Sequence, residues 1–253
     1  MQLCDYIEPY FQPIVWVNGK GRYAEEALFR FKGSASLQAG LFRRWEQSGY
    51  VVSVDCAMVR VVRRAMEDTR TMGRIAVNVS ARTLELASDE YFGELLGLAR
   101  TSRRVIVDIT QTYRSDANTL SSFTRRCLSS GIYVALDDCR LGHEYGDDAF
   151  VCAVKPAFLK LDREWVDDCF QANDHRSLEK VMRVGLDHSA VIIAEGIDCP
   201  AKRDFVTSLG IKLLQGNWFG RPVEKSDTAE HAEREGEATL MATGNGKWGT
   251  QCG

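Results

Sequence analysis

The sequence lacks an excess of basic residues. Its 32 lysines and arginines face 35 aspartates and glutamates, which gives a formal net charge of −3. Proteins that bind nucleic acid through electrostatics usually present a basic face, so we do not expect DNA as a partner. A small phosphorylated ligand is compatible with this charge, because bound metal ions can reverse the local field.

Zinc-site patterns and membrane segments are missing as well. No two of the eight cysteines form a C-x-x-C pair, and the four histidines have no metal-binding spacing, so we do not expect zinc. The sequence has no basic start followed by an apolar run and no apolar stretch near about 18 residues, the patterns of signal peptides and membrane helices. We therefore expect a cytoplasmic protein with free thiols and no membrane segment.

Short β-rich runs alternate with longer amphipathic stretches along the 253 residues, a length that suits one α/β barrel. The predicted strands are residues 10–17, 24–31, 74–79, 104–109, 132–137, 157–161, 190–194 and 211–214. The predicted helices are residues 55–72, 83–100, 116–130, 174–188 and 200–209. Eight strands with helical crossovers predict a TIM-like (β/α)₈ barrel.

Two segments depart from a regular barrel. The residues Asn18-Gly19-Lys20-Gly21 carry a hairpin turn signal, which predicts that the first two strands are antiparallel. From about Glu224 onward the sequence is polar and rich in glycine. We interpret residues 1–224 as the barrel domain and residues 225–253 as a disordered tail.

Polar side chains end most of the predicted strands. In a barrel the carboxyl ends of the strands converge on one rim, where active sites lie. A single Asn or Asp after a strand is usually a turn former or a helix cap, but here the pattern repeats from strand to strand. The residues are Glu26, Asn78, Asp108, Asp137 with Asp138, Lys160 with Asp162, Glu195 and Gln215.

Four of these residues are carboxylates in apolar sequence contexts, namely Glu26, Asp108, Asp137 and Glu195. Buried together without cations, they would repel one another and suffer a large desolvation cost. Hard divalent cations would remove this cost, and Asn78 would add a neutral oxygen ligand. The Asp137-Asp138 pair suits a bridge between two metals about 3.5–4 Å apart, the arrangement used in phosphoester hydrolysis.

Lys160 and Phe219 are two further candidates. Lys160 ends a strand, where it either forms a salt bridge with the aspartates or orients water and neutralises phosphoryl charge, and both roles can hold together. Phe219 follows Gln215 closely and is the aromatic residue that we place near a bound base.

The motifs together resemble one known family. Gln12-Pro13-Ile14 and Glu26-Ala27-Leu28 with Arg30 are similar to the opening of an EAL domain, the bacterial cyclic-di-GMP phosphodiesterase module. The later motifs follow in the order of that family, and they are Asn78-Val79-Ser80, Asp108-Ile109-Thr110, Asp137-Asp138, Lys160-Leu161-Asp162-Arg163, Ala194-Glu195-Gly196-Ile197, Gln215-Gly216 and Phe219-Gly220-Arg221-Pro222. The resemblance covers residues 6 to 224 and implies a barrel with an antiparallel first strand pair.

The resemblance also implies an activity, namely metal-dependent opening of one phosphodiester of cyclic-di-GMP to give linear pGpG. Two Mg²⁺ or Mn²⁺ ions would be held by Glu26, Asn78, Asp108, Asp137 and Asp138. Lys160 and Glu195 would position and activate water. Gln215 would support the water network or the substrate, and Gln12 and Arg30 would contact the dinucleotide.

Three positions and one loop depart from the family pattern. Asp108 and Gln111 stand where the family has the two glutamates of its E-x-T-E motif, and Asp198 stands for another glutamate. The glycine-rich loop after the aspartate pair, which in the family organises the metal site and the dimer interface, reads Cys139-Arg140-Leu141-Gly142 here. Changes around metal ligands typically cost about 10–100-fold in affinity or activity, so we expect reduced turnover.

Three functions stay open at this point. The first is a slow metal-dependent phosphodiesterase. The second is a cyclic-di-GMP receptor that does not cleave its ligand efficiently, and the third is a module that regulates a protein partner without nucleotide chemistry. A cation titration separates them, because only the enzyme needs Mg²⁺ or Mn²⁺. A homodimer is a further expectation, and the sequence identifies no specific protein partner.

Overall fold

The computed structural model describes residues 3–17, 21–33, 40–69 and 73–224, and these residues form one closed eight-stranded barrel. The strands are β1 (Ile7–Trp16), β2 (Arg22–Phe31), β3 (Arg74–Ser80), β4 (Arg104–Thr110), β5 (Tyr133–Cys139), β6 (Phe158–Leu161), β7 (Val191–Ala194) and β8 (Leu213–Gln215). The predicted TIM-like barrel is confirmed.

The first strand runs against its two neighbours. β1 pairs antiparallel with β2 from Ile7↔Phe31 to Val15↔Arg22 and also antiparallel with β8, whereas all other neighbouring strands pair in parallel. The antiparallel first pair is therefore confirmed. The turn residues 18–20 and the predicted tail at 225–253 lie outside the described residues.

Helices cover the outside of the barrel. They are α1 (Leu41–Ser48), α2 (Val51–Thr69), α3 (Ala81–Ala99), α4 (Ala117–Ser129), α5 (Asp148–Val154), α6 (Arg163–Ala172), α7 (His175–Asp187) and α8 (Pro200–Ser208). No helix among the described residues is long and apolar enough to span a bilayer.

The sequence reading missed three of these helices, α1, α5 and α6. Each has ten residues or fewer, so it offers too few turns for apolar periodicity to stand out. Aspartate side chains cap the N-termini of α5 and α6. Asp147 accepts a hydrogen bond from Phe150 N at 3.1 Å, and Asp162 accepts one from Trp165 N at 2.6 Å. The predicted helix at 55–72 in fact begins at Val51 and ends at Thr69.

An apolar layer fills the lower part of the barrel interior. It consists of one buried side chain from each strand, namely Ile14, Ala24, Ala76, Ile106, Ala135, Phe158, Ile193 and Leu213. Side chains alternate between the two faces of a strand, so residues two positions apart point the same way. Two positions further toward the rim stand Gln12, Glu26, Asn78, Asp108, Asp137, Lys160, Glu195 and Gln215. The fold thus places a complete polar layer directly above an apolar one.

Candidate active site

The polar layer opens into a cavity of about 300 Å³ at the carboxyl ends of the parallel strands. The residues of the polar layer lie at one height along the barrel axis because of the strand register. Gln12 pairs with Glu26, and Asn78 pairs with Asp108, across neighbouring strands. Gln12, Glu26, Asn78, Asp137, Lys160, Glu195 and Gln215 all line this cavity. The structure therefore brings together most of the residues that the sequence singled out.

Lys160 is the centre of the polar layer. Its Nζ lies 3.1 Å from Glu26 Oε2, 3.0 Å from Asp108 Oδ2, 3.2 Å from Asp137 Oδ1 and 2.7 Å from Glu195 Oε1. The lysine side chain is only 1% exposed. A lysine buried against four carboxylates is the salt-bridge arrangement that the sequence suggested, extended to several acidic partners at once.

Glu26 is held by amide groups as well as by the lysine. Its Oε1 accepts a hydrogen bond from Asn78 Nδ2 at 2.8 Å, and its Oε2 accepts one from Gln215 Nε2 at 2.6 Å. Gln215 Nε2 also donates to Gln12 Oε1 at 3.2 Å, and Gln12 Nε2 donates to the Gly220 carbonyl. These contacts fix the orientation of Glu26 and connect it to the β1 side of the cavity.

The charges of Glu26 and Lys160 stabilise each other. Burial opposes ionisation of Glu26, but the Lys160 ammonium and the hydrogen bonds from Asn78 and Gln215 outweigh it and lower the pKa of this carboxyl. Burial also disfavours the Lys160 ammonium, but the carboxylates of Asp108, Asp137, Glu195 and Glu26 raise its pKa well above the ordinary lysine value. Lys160 is therefore a permanent cation in this site.

The other carboxyls are poorly compensated by this single cation. Burial raises the pKa of Asp108 to about 7, and Lys160 only partly opposes the shift. Burial likewise raises the pKa of Asp137 and raises that of Glu195 well above the usual glutamate value. One lysine cannot balance so many acids, so the layer has an unmet demand for positive charge.

Asp108 and Asp138 do not line the main cavity. Asp108 is buried and contacts Lys160 at 3.0 Å. Asp138 has a left-handed backbone with φ of 55° and borders a neighbouring cavity of about 450 Å³ between the loops that follow β4 and β5. Burial, together with the charges of Asp137 and Asp162, raises the pKa of Asp138 to about 7.

The donor set fits divalent cations. Carboxylate oxygens of Asp137, Asp138 and Glu195 lie within 4.8 Å of one another. Asp108 Oδ1 is buried without a hydrogen-bond donor, and the Lys160 ammonium is the shared cation beside both Asp108 Oδ2 and Asp137 Oδ1. Hard cations such as Mg²⁺ and Mn²⁺ bind oxygen ligands of this kind, and they would supply the missing positive charge.

This charge imbalance predicts how stability depends on pH. Asp108 and Asp138 have a folded-state pKa of about 7, well above the unfolded aspartate value of about 3.9. The folded state then binds more protons than the unfolded state, so stability falls as pH rises through this window. We expect the melting temperature in chelator to be higher at about pH 6 than at about pH 8.

Added Mn²⁺ is expected to reduce this difference, because the cations stabilise the ionised carboxylates. Part of the pH dependence comes from Asp55 and should not respond to Mn²⁺. Burial raises the pKa of Asp55 to about 7, and its carboxylate belongs to a separate network with Thr83 and Ser80. A melting temperature that rises from pH 6 to pH 8 in chelator would contradict the described charge balance.

The predicted substrate contacts are spread over different surfaces. Gln12 lines the main cavity, whereas Arg30 lines a cavity of about 240 Å³ on the β2–β3 side, where its Nη1 donates to the Phe29 carbonyl at 2.7 Å. Phe219 is partly buried and packs against the outer core rather than lining either cavity. Arg30 and Phe219 therefore remain predicted contacts that the main cavity does not include.

The loop between β5 and α5, which includes Arg140-Leu141-Gly142, has a defined structure. It contains a short 3₁₀ helix at Glu144–Gly146, and Glu144 Oε2 accepts a bond from Arg114 Nε at 3.1 Å in the loop after β4. The Tyr145 ring is buried and stacks on Phe150 at 5.3 Å. Gln111 borders the same cavity as Asp138. The loop after β5 is therefore tied to the loop after β4, at the edge of the cavity that Asp138 borders.

The sequence reading missed Lys202 and Arg163 as site residues. Lys202 Nζ lies 2.8 Å from Asp198 Oδ1, also pairs with Asp167, and donates to the Gly196 carbonyl at 3.1 Å. Arg163 lines the main cavity beside Glu195. The Asp198–Lys202 pair joins the segment before α8 to the first turn of that helix, which residue spacing alone does not predict. Arg163 was visible in the sequence as the last residue of the Lys160-Leu161-Asp162-Arg163 motif, but the motif gave it no role.

Gly216 holds the loops after β7 and β8 together. A Cβ atom at this position would lie 2.1 Å from the Ile197 carbonyl oxygen, a backbone atom that cannot easily move away. We expect Gly216→Ala to lower the free energy of unfolding by about 1–3 kcal/mol, as overpacking does elsewhere, measured by urea denaturation. The matched control is Gly93→Ala in α3, where an added Cβ meets nothing within 4 Å. Equal stability of the two variants would contradict the close approach.

Comparisons with known proteins agree with this geometry. The profile of the EAL domain family matches residues 4–222. The bifunctional diguanylate cyclase/cyclic di-GMP phosphodiesterase MucR of Pseudomonas aeruginosa is 25% identical over 225 residues, covering 85% of this chain and 33% of MucR. The probable cyclic di-GMP phosphodiesterase PdeG of Escherichia coli is 25% identical over 238 residues, covering 87% of this chain and 45% of PdeG. The chain thus spans less than half the length of these two relatives.

Solved structures share the fold. The MucR phosphodiesterase in complex with c-di-GMP superposes with a TM-score of 0.72 at 24% identity, covering 90% of this chain and 99% of that one. The Bacillus subtilis YkuI protein, with an EAL domain in complex with c-di-GMP and calcium, has a TM-score of 0.67 at 20% identity and covers 95% of this chain and 64% of that one. With the family profile matched over nearly all described residues, this chain belongs to the EAL domain family.

Proposed function

We propose that this EAL domain binds cyclic di-GMP and hydrolyses one of its two phosphodiester bonds to give linear pGpG, with the help of two Mg²⁺ or Mn²⁺ ions. The observation that carries the proposal is the ring of carboxylates around Lys160, each within 3.2 Å of its Nζ, in a cavity at the carboxyl end of the barrel. Relatives named as cyclic di-GMP phosphodiesterases support the choice of substrate.

The cations would be held by oxygen ligands from five residues, which are Glu26, Asn78, Asp108, Asp137 and Asp138. When bound, the two ions supply Lewis-acid polarisation of the phosphoryl oxygens and a more acidic water. Glu195 also belongs to the cluster of carboxylates within 4.8 Å of one another, so its side chain is close to any ion that Asp137 and Asp138 hold.

Lys160 and Glu195 divide the proton chemistry between them. The high pKa of Lys160 keeps its ammonium protonated, so it donates hydrogen bonds and offsets negative charge but does not accept a proton. Glu195 lies in the carboxylate cluster with Asp137 and Asp138, which suits a carboxylate that accepts a proton from water and passes it on. The 2.7 Å contact between Lys160 Nζ and Glu195 Oε1 orients this carboxylate.

Incubation of the purified protein with cyclic di-GMP and Mn²⁺ or Mg²⁺, followed by chromatographic separation of products, tests the proposal. We expect pGpG to appear only with a divalent cation and to be absent with Glu26→Ala. Saturable binding of cyclic di-GMP without product would identify a receptor. Neither binding nor product would reject both nucleotide functions and leave a protein-interaction module.

The receptor has one observation in its favour. Two of the five proposed ligands do not line the main cavity, because Asp108 is buried against Lys160, and Asp138, although close to Asp137 and Glu195, borders the adjacent cavity. A ligand that is misplaced by about 1 Å can reduce turnover by about 10²-fold. We therefore expect slow turnover at best in comparison with a site whose ligands all face one cavity.

A further inference from the structure

The main cavity is rich in acidic side chains, but nearly all of them already have a cationic partner. Glu26, Asp137 and Glu195 contact Lys160 at 3.2 Å or less. Asp198, at the rim, contacts Lys202 at 2.8 Å. Lys160 itself has no spare capacity, because its three ammonium protons face four carboxylates. An anionic ligand entering the cavity therefore cannot rely on these lysines.

Arg163 is a cation of a different kind in this cavity. Among the residues that the structure describes, no carboxylate lies within ion-pair distance of its guanidinium, and the residue is exposed to solvent. It is the first residue of α6 and follows Asp162, whose side chain caps the helix through Trp165 N. Its charge is thus available to a ligand.

The position of Arg163 is fixed by packing against the loop that carries Glu195. A Cβ atom built on Gly196 would lie 2.4 Å from Arg163 Cγ and 3.2 Å from Arg163 Cβ, so the arginine stem rests on the bare glycine. Gly196 has a φ of 71° and is tied to Lys202 through its carbonyl. The arginine stem is therefore held against the loop that carries Glu195, and Arg163 lines the same cavity as Glu195.

We propose that Arg163 binds an oxygen of the phosphate that is not cleaved. This inference rests on the proposed function, in which the cleaved phosphate lies at the carboxylate layer. A cyclic dinucleotide has a second phosphate, and of the two cationic residues that line the main cavity, Lys160 and Arg163, Arg163 is the one without a carboxylate partner among the described residues. A guanidinium suits this task because its planar donor fork matches two phosphate oxygens at once.

The test measures equilibrium binding of cyclic di-GMP by calorimetry with Ca²⁺ or Mn²⁺, for the wild type, Arg163→Gln and Arg163→Lys. Arg176→Gln is the control, because Arg176 is an exposed arginine on α7 outside the main cavity. We expect Arg163→Gln to weaken binding by about 10–100-fold, the usual value of a charge-assisted hydrogen bond. Arg163→Lys should recover part of the loss, and Arg176→Gln should bind as the wild type does.

A ligand with a single phosphate distinguishes a contact to the cleaved phosphate from a contact to the uncleaved one. Cyclic 3′,5′-GMP, measured as a competitor, has only the phosphate that belongs at the carboxylate layer, so its affinity should be unchanged in Arg163→Gln. Equal losses for both ligands would overturn the assignment to the uncleaved phosphate. If the wild type binds cyclic di-GMP and Arg163→Gln binds it equally well, the role of Arg163 is overturned but the proposed function is not. A wild type that binds no cyclic di-GMP with either cation would overturn the proposed function and this inference together.

Discussion

Lys160→Met is expected to destabilise the cation-free protein by about 3–5 kcal/mol at about pH 8, the usual cost of leaving buried charges without their partner. Methionine extends as far as the lysine Cε but lacks the ammonium that contacts Glu26, Asp108, Asp137 and Glu195. The carboxyls then have to bind protons, so stability should recover as pH falls. Urea denaturation in chelator at several pH values measures both effects.

The control for this experiment is Lys180→Met, which removes an exposed lysine of α7. It should change stability little and should not alter the pH dependence. A Lys160→Met protein as stable as wild type at about pH 8, with the same pH dependence, would show that the four carboxyls do not depend on the lysine for their charge.

Glu26→Gln is expected to lower the turnover of cyclic di-GMP by about 10³-fold, since losing one anionic cation ligand removes several kcal/mol of transition-state stabilisation. The substitution also misplaces a donor. Both oxygens of Glu26 accept hydrogen bonds, Oε1 from Asn78 and Oε2 from Lys160 and Gln215. In either orientation of its amide, a glutamine would point its NH₂ group at one of these donors, and that donor would lose its acceptor.

Glu25→Gln provides a neighbouring control. Glu25 is the preceding residue of β2, so its side chain points to the opposite face of the strand, where it contacts Arg22 at 3.1 Å. Its neutralisation should leave kcat within a few-fold of the wild type. Comparable losses of kcat in the two variants would mean that the loss reflects damage to β2 rather than the role of Glu26.

The polar layer could be predicted from the sequence because it follows strand alternation. In Ala76-Val77-Asn78 and Ile106-Val107-Asp108, the polar residue stands two positions after a small or apolar residue, so both point into the barrel. The same spacing recurs in all the parallel strands. The height of the polar layer in the barrel therefore follows from the alternation of residues along each strand and from the parallel strand register.

Other parts of the site depend on tertiary structure and could not be predicted this way. Asp138 lies in a left-handed conformation near the end of β5, where strand alternation no longer fixes the direction of a side chain. The packing of Arg163 on Gly196 joins α6 to the loop after β7, which are 33 residues apart in the sequence. The short helices α1, α5 and α6 are set by caps and packing rather than by a long apolar period.

The most direct test of the central claim is the number of Mn²⁺ ions that one chain binds, measured by calorimetry or by electron paramagnetic resonance of the free ion. The carboxylate ring around Lys160 predicts two ions for the wild type and a weakened site in Glu26→Gln, while Glu25→Gln should bind as the wild type does. A wild-type chain that binds no Mn²⁺, or binds it equally well without the Glu26 carboxylate, would contradict the assignment of this polar layer as a two-cation site.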